Sequence, residues 1–274
     1  MPATNNSIAF TNATLLDGTA SMEPRPNMTV TVDRGVITGI APDAIARIED
    51  GARVIDLAGG YLLPGLINMH VHLCGSGKPV SAGDAGSLMK KLDNPVGRAI
   101  VRRILKSSAQ QQLASGVTTV RGAGDPLLCD LDVRDAINAG KYPGPRLVSP
   151  GTGVTVPGGH GAGLFAQVAN TPQEAASMVR SLAQRGADVI KLFVTGGVFD
   201  ATEPGEPGVV RMSPEVAQAS CEAAHKLGIP VMAHVESTEG VRIALAAGVD
   251  TIEHGAPMDD EIRELYLSRN GAQL

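Results

Sequence analysis

From Tyr61 onward one rhythm recurs six times, a short apolar run followed by an amphipathic stretch, and few folds accept it. The apolar runs read as strands over Gly65–His72, Val117–Gly122, Arg146–Pro150, Val189–Thr195, Pro230–Glu236 and Asp250–His254. The amphipathic stretches read as helices over Val96–Ala114, Asp132–Ala139, Pro172–Arg185, Pro214–Leu227, Thr238–Ala246 and Asp259–Ser268. Thr171 and Ser213 each precede a proline, the N-cap and first-turn pattern of a helix start. Gly116, Gly186, Gly228 and Gly248 stand where helices end. Strand then helix, repeated, makes a parallel sheet with its helices outside, because parallel neighbours need a crossover of a dozen or more residues. An open doubly wound sheet and a (β/α)8 barrel both satisfy this. No GxGxxG follows the first strand, which argues against a dinucleotide-binding open sheet.

Residues 1–60 have another character. Ile8–Leu16, Met28–Val32, Val36–Ile40 and Ala52–Asp56 are β-prone and are broken by Asp17-Gly18, Asp33-Arg34-Gly35 and Gly59-Gly60. The division expected is a small β part over 1–60 and an α/β part over 61–274. Charge restricts the partners: 23 basic against 28 acidic residues leave a net −5, with no basic stripe for nucleic acid or an anionic membrane. No apolar run reaches membrane-spanning length, and the N-terminal residues lack a signal-peptide pattern. Cys74, Cys129 and Cys221 are odd in number and widely spaced, which is neither a disulfide framework nor a zinc knuckle. The expectation is a cytoplasmic protein acting on a small molecule, without nucleic-acid or membrane partners, and open to homo-oligomer formation.

The histidines locate the chemistry. Of six, four stand at or near the C-terminal end of an expected strand: His70, His72, His234 and His254. That end is where barrel enzymes place their active sites. His70 and His72, two residues apart on a strand, face the same way at a separation of roughly 6.6 Å along it, so both can grip one metal ion. Converging neutral imidazoles are metal ligands by type. Lys191 lies inside the apolar run Val189–Val194, where an amine is costly unless paired or modified.

Tyr61–Leu73, YLLPGLINMHVHL, resembles the first-strand signature of the amidohydrolase superfamily. Lys191 in IKLFVTGGV, His234 in MAHVES and His254 in DTIEHGA are similar to the later strand motifs of its imidazolonepropionase-like and prolidase-like dipeptidase branch. The resemblance runs from about Asn12 to Leu274. It implies a metal-dependent (β/α)8 barrel flanked by a small β-sandwich to which both chain ends contribute. It also implies two divalent ions, zinc by default: His70 and His72 on one, His234 and His254 on the other, and Lys191, carboxylated by CO2, bridging them. Lys191, His234 and His254 are accordingly the candidate catalytic groups. The implied reaction is hydrolysis of an amide or peptide-like C–N bond, in a dipeptide or N-acyl amino acid, by a metal-bridging hydroxide.

The chain also departs from that pattern. Six strands are counted where the family has eight, and Asn270–Leu274 falls where a seventh should start. The aspartate the family carries after its eighth strand has no counterpart here, so the chain reads as an incomplete barrel. Glu236, two residues past His234, is the nearest acid facing the same way, although loop acids are mostly solvated. Gly151–Gly163 is too glycine-rich for a helix and reads as a mobile loop carrying His160, a candidate substrate contact. Arg121 is followed by Gly122 where relatives usually place an aspartate; it suits a substrate carboxylate or a structural acid. His225 and Cys74 read as structural. The alternatives to an amidohydrolase are a catalytically incompetent fragment of one, or a lactone or phosphoester hydrolase on the same fold.

Overall fold

The computed structural model describes residues 6–75, 82–199 and 201–268. Asn270–Leu274, where a seventh strand was expected to start, lies outside them. The chain divides into two compact units, one ending at Gly65 and one beginning at Leu66.

The first unit is a mixed sheet of five strands: β1 (Ile8–Leu15), β2 (Arg25–Asp33), β3 (Val36–Pro42), β4 (Arg53–Asp56) and β5 (Tyr61–Leu62). Its order is β3-β2-β1-β4, with β5 also pairing β1. β1 meets β2 antiparallel and β4 and β5 parallel. Leu15, Met28 and Val30 form its small core, with Val32 and Leu62 against them. Where the resemblance implied a sandwich, the described residues of this unit supply a single sheet.

The second unit is the incomplete (β/α) barrel. It runs β6 (Leu66–Val71), α1 (Ala82–Leu92), α2 (Pro95–Ala114), β7 (Val117–Gly122), α3 (Cys129–Asn138), β8 (Arg146–Val148), β9 (Gly153–Thr155) and β10 (Ala166–Val168). It continues through α4 (Pro172–Gln184), β11 (Ile190–Phe193), α5 (Pro214–His225), β12 (Val231–Val235), α6 (Thr238–Ala247), β13 (Thr251–His254) and α7 (Asp260–Ser268). The strands form parallel ladders in the orders β6-β7-β8 and β10-β9-β11-β12-β13. Local signals set the helix ends. The Thr171 and Ser213 hydroxyls accept from the Glu174 and Val216 amides, and the four helix-ending glycines take positive φ. No described helix is long and apolar enough to cross a membrane.

Two expectations are corrected. Gly151–Gly163 is not loop throughout. Gly151, at φ 74°, turns the third strand, so that Arg146–Val148 pairs with β7 while Gly153–Thr155 pairs with β11. Glycine fits there because a Cβ on Gly153 would overlap the Phe193 ring. A helix that the sequence reading left out, α1, follows β6.

Register divides the strand side chains into two sets. Leu192, Ala233 and Ile252 are laddered neighbours and belong to the main core, packed with Val179, Leu182, Val216 and Leu245 of the helices. The alternate positions Lys191-Met232-Thr251 and Phe193-His234-Glu253 form two rows on the opposite face. That face carries the polar groups described next.

Candidate metal and active site

Five imidazoles form a continuous chain on the inner face. Ring centroids are 5.6 Å apart for His72–His70, 4.8 Å for His70–His254, 4.7 Å for His254–His234 and 4.6 Å for His234–His160. β6 supplies the first pair through its two-residue repeat. His234 arrives by register. His254 does not: it follows Glu253, so a regular strand would turn it toward the helices. A left-handed backbone at His254 (φ 70°), with Gly255 at φ 79° after it, swings the ring back among the others.

Hydrogen bonds select the tautomers. His72 Nδ1 donates to the Gly124 carbonyl at 2.6 Å and His234 Nε2 to the Gly196 carbonyl at 2.7 Å, leaving the other nitrogen of each ring as a lone-pair donor. Burial, reinforced by like charge from neighbouring histidines and Lys191, lowers the pKa of His72 to about 3, of His234 to about 2 and of His254 to about 4. These rings are therefore neutral at pH 7, the form that binds metal.

Lys191 is 0 % exposed, and among the described residues its Nζ has no hydrogen-bond partner; it lies 5.1 Å from the Phe193 ring centroid. Burial lowers its pKa to about 7, opposed by the Glu253 charge. An orphaned, readily deprotonated amine beside neutral imidazoles is chemically suited to carbamate formation and to divalent ions.

Glu253 is the residue that sequence reasoning missed. It is 5 % exposed and joins His70 Nδ1 and Arg121 Nη2, each at 2.6 Å. Burial works against its charge, but the His70 bond with the Lys191 and Arg121 charges keeps its pKa below the usual glutamate value. An acid inside the otherwise uncharged TIEH run was the available signal, the same one that singled out Lys191. Of the two partners open to Arg121, the structure shows the acid. Its guanidinium holds Glu253, the Met69 carbonyl at 2.9 Å and Thr251 Oγ1 at 3.2 Å.

Glu236 sits at the rim. One ligand atom each from His234, Glu236 and His254 lie within 4.8 Å of one another. His160 stacks on His234 and borders a cavity of about 220 Å3 shared with Leu164, Phe199, Glu206 and Arg211. A larger groove of about 900 Å3 between α2 and α3, closed by Lys141 and Tyr142, touches none of the imidazoles. Behind β6, buried Asp125 accepts from the Leu73 and Cys74 amides and pins the turn after His72. Burial raises the Cys74 thiol pKa, so it is no nucleophile, and His225 bonds Asp250 away from the cluster.

Comparison with known proteins fits this arrangement. The profile of the amidohydrolase family matches residues 61–266. Ochratoxinase from Aspergillus niger is 27 % identical over 233 residues, which cover 76 % of this chain and 46 % of that enzyme. A protein described as a prolidase from Bifidobacterium longum is 37 % identical with a TM-score of 0.77, covering 95 % of this chain and 57 % of that one. A Xaa-Pro dipeptidase with methionine bound in its active site is 30 % identical with a TM-score of 0.79, covering 96 % and 64 %. The chain thus spans about half the length of the curated relative and under two thirds of the solved structures.

Proposed function

The chain belongs to the amidohydrolase family, and from that premise we propose that it carries the metal-holding part of a hydrolase for amide or peptide-like C–N bonds. The observation that carries the reading is the run of five imidazoles beside the orphaned Lys191 amine. In this reading His70 and His72 would hold one divalent ion and His234 and His254 a second, zinc being the ion expected. Lys191 would serve both ions as a carbamate: its neutral amine would add to CO2, forming a C–N bond and releasing one proton, to give an anion with two oxygens. The ions supply a Lewis acid for the scissile carbonyl and acidify a water.

The remaining work falls to the chain's own groups. His72 and His234, each committed to a carbonyl through one nitrogen, keep the other aimed at the site. His160 and the cavity with Leu164 and Phe199 seat a small substrate and exclude bulk water. Dipeptides and N-acyl amino acids are the proposed class. The similar Xaa-Pro dipeptidase with methionine in its active site supports it, as does the capacity of a cavity of about 220 Å3.

The test is elemental analysis of the purified chain with zinc, with and without bicarbonate, beside a panel of dipeptides, N-acyl amino acids, lactones and phosphoesters. The expected result is bicarbonate-dependent uptake approaching two ions, lost in Lys191→Ala, with amides preferred in any turnover. Uptake below one ion per chain, or esters turned over faster than amides, overturns the proposal.

A further inference from the structure

Glu253 crosses the inner face between strands that do not pair. It sits on β13, its His70 partner on β6 and its Arg121 partner on β7. Its two oxygens are divided between the two partners: Oε2 faces His70 Nδ1 and Oε1 accepts from Arg121 Nη2, each at 2.6 Å. Arg121 is itself fixed by the Met69 carbonyl and Thr251 Oγ1. Burying a carboxylate this deeply is costly unless its oxygens are satisfied; in Glu253 both are, and the satisfaction has a direction. With Arg121 already donating, the acid is left as an acceptor, so His70 must carry its proton on Nδ1.

We propose that Glu253 is the positioning residue of the site, clamped by Arg121 so that it fixes the Nδ1–H tautomer of His70 and frees His70 Nε2 as a metal ligand. The His72 ring gets the same service from a backbone carbonyl; His70 gets it from a side chain, and that makes the arrangement testable. This inference rests on the metal reading above, but its first measurement needs no metal.

Glu253→Gln is the discriminating variant, because glutamine offers one acceptor and one donor and cannot face two donors at once. In the metal-free wild-type chain, imidazole 15N shifts should show His70 protonated at Nδ1. In Glu253→Gln they should show a mixture of tautomers, and zinc affinity measured by chelator competition should fall about 10–100-fold. Asp250→Asn is the control. It removes a carboxylate that binds His225 and the Val231 amide at the opposite end of these strands, and it should lower stability without moving zinc affinity. An Nε2–H tautomer in the wild type, or wild-type zinc affinity in Glu253→Gln, overturns the inference. If Glu253→Gln does not fold, the wild-type tautomer decides alone. A wild-type chain that binds no zinc defeats the metal reading, and the tautomer measurement still judges Glu253.

Discussion

Lys191 is a residue whose burial opposes folding: an amine with 0 % exposure and no acceptor among the described residues. Leaving such a group unpaired costs roughly 1–3 kcal/mol by mutational experience. Lys191→Met keeps the volume and removes the charge, so it should raise the melting temperature of the metal-free chain by several degrees while abolishing bicarbonate-dependent metal uptake. A lower melting temperature would show that the amine has a partner. The sign of the pH effect follows from the pKa of about 7, below the usual lysine value. The unfolded chain holds the proton up to about pH 10.5, so the penalty is full below pH 7 and fades as pH rises toward that limit. The histidines act at the acid end. His72, His234 and His254 stay neutral in the fold down to about pH 3, 2 and 4, whereas unfolded they charge near 6.5. Stability should therefore fall as pH drops below about 6.5, by up to about 1.4 kcal/mol per unit for each of His72 and His234, and by less for the exposed His254, whose charge solvent screens. Far-UV circular dichroism of the metal-free chain should show the acid midpoint moving lower in His72→Asn; an unmoved midpoint would mean that His72 is not buried in its neutral form.

Among the elements, the third strand is the most instructive. Its halves serve different neighbours, and Gly153 lets the second half lie under Phe193. Gly153→Ala should cost about 1–3 kcal/mol, read as a lower urea midpoint, because its Cβ would overlap that ring and press on Lys191 Cγ at 3.3 Å. An unchanged midpoint would mean the ring has room to turn. The Thr171 cap is a simpler case: Thr171→Ala should cost about 1 kcal/mol without affecting the imidazoles. The contrast explains what was legible. Thr171 and its proline announce α4 because capping is settled within four residues. Gly153–Thr155 announces nothing, because its ladders come from β10, across an irregular loop, and from Leu192, far along the chain, and a glycine-rich composition describes the wrong alternative.

At the scale of the molecule, β6 stands out. Leu66, Ile67 and Met69 are 51 %, 62 % and 50 % exposed, in a strand that also carries His70. Apolar side chains in that density favour association. Sedimentation of this chain should show concentration-dependent self-association, reduced in Ile67→Lys. A monomer over the whole concentration range would show that these side chains are too dispersed to form a contact.

The strand-and-helix alternation, the helix caps and the motif histidines were readable because each depends on near neighbours: a period, a cap, a spacing of two. Those local rules were enough for a parallel (β/α) architecture and for naming His70, His72, Lys191, His234 and His254. They could not show that Glu253 would pair with Arg121, or that His254 is out of phase with its strand and needs a left-handed backbone to join the other rings. Both depend on which residues of β6, β7 and β13 face one another across the sheet. That is a matter of how segments more than a hundred residues apart, on strands that do not pair, are brought face to face, and only packing the helices against one face of the strands decides which side chains are left to meet on the other.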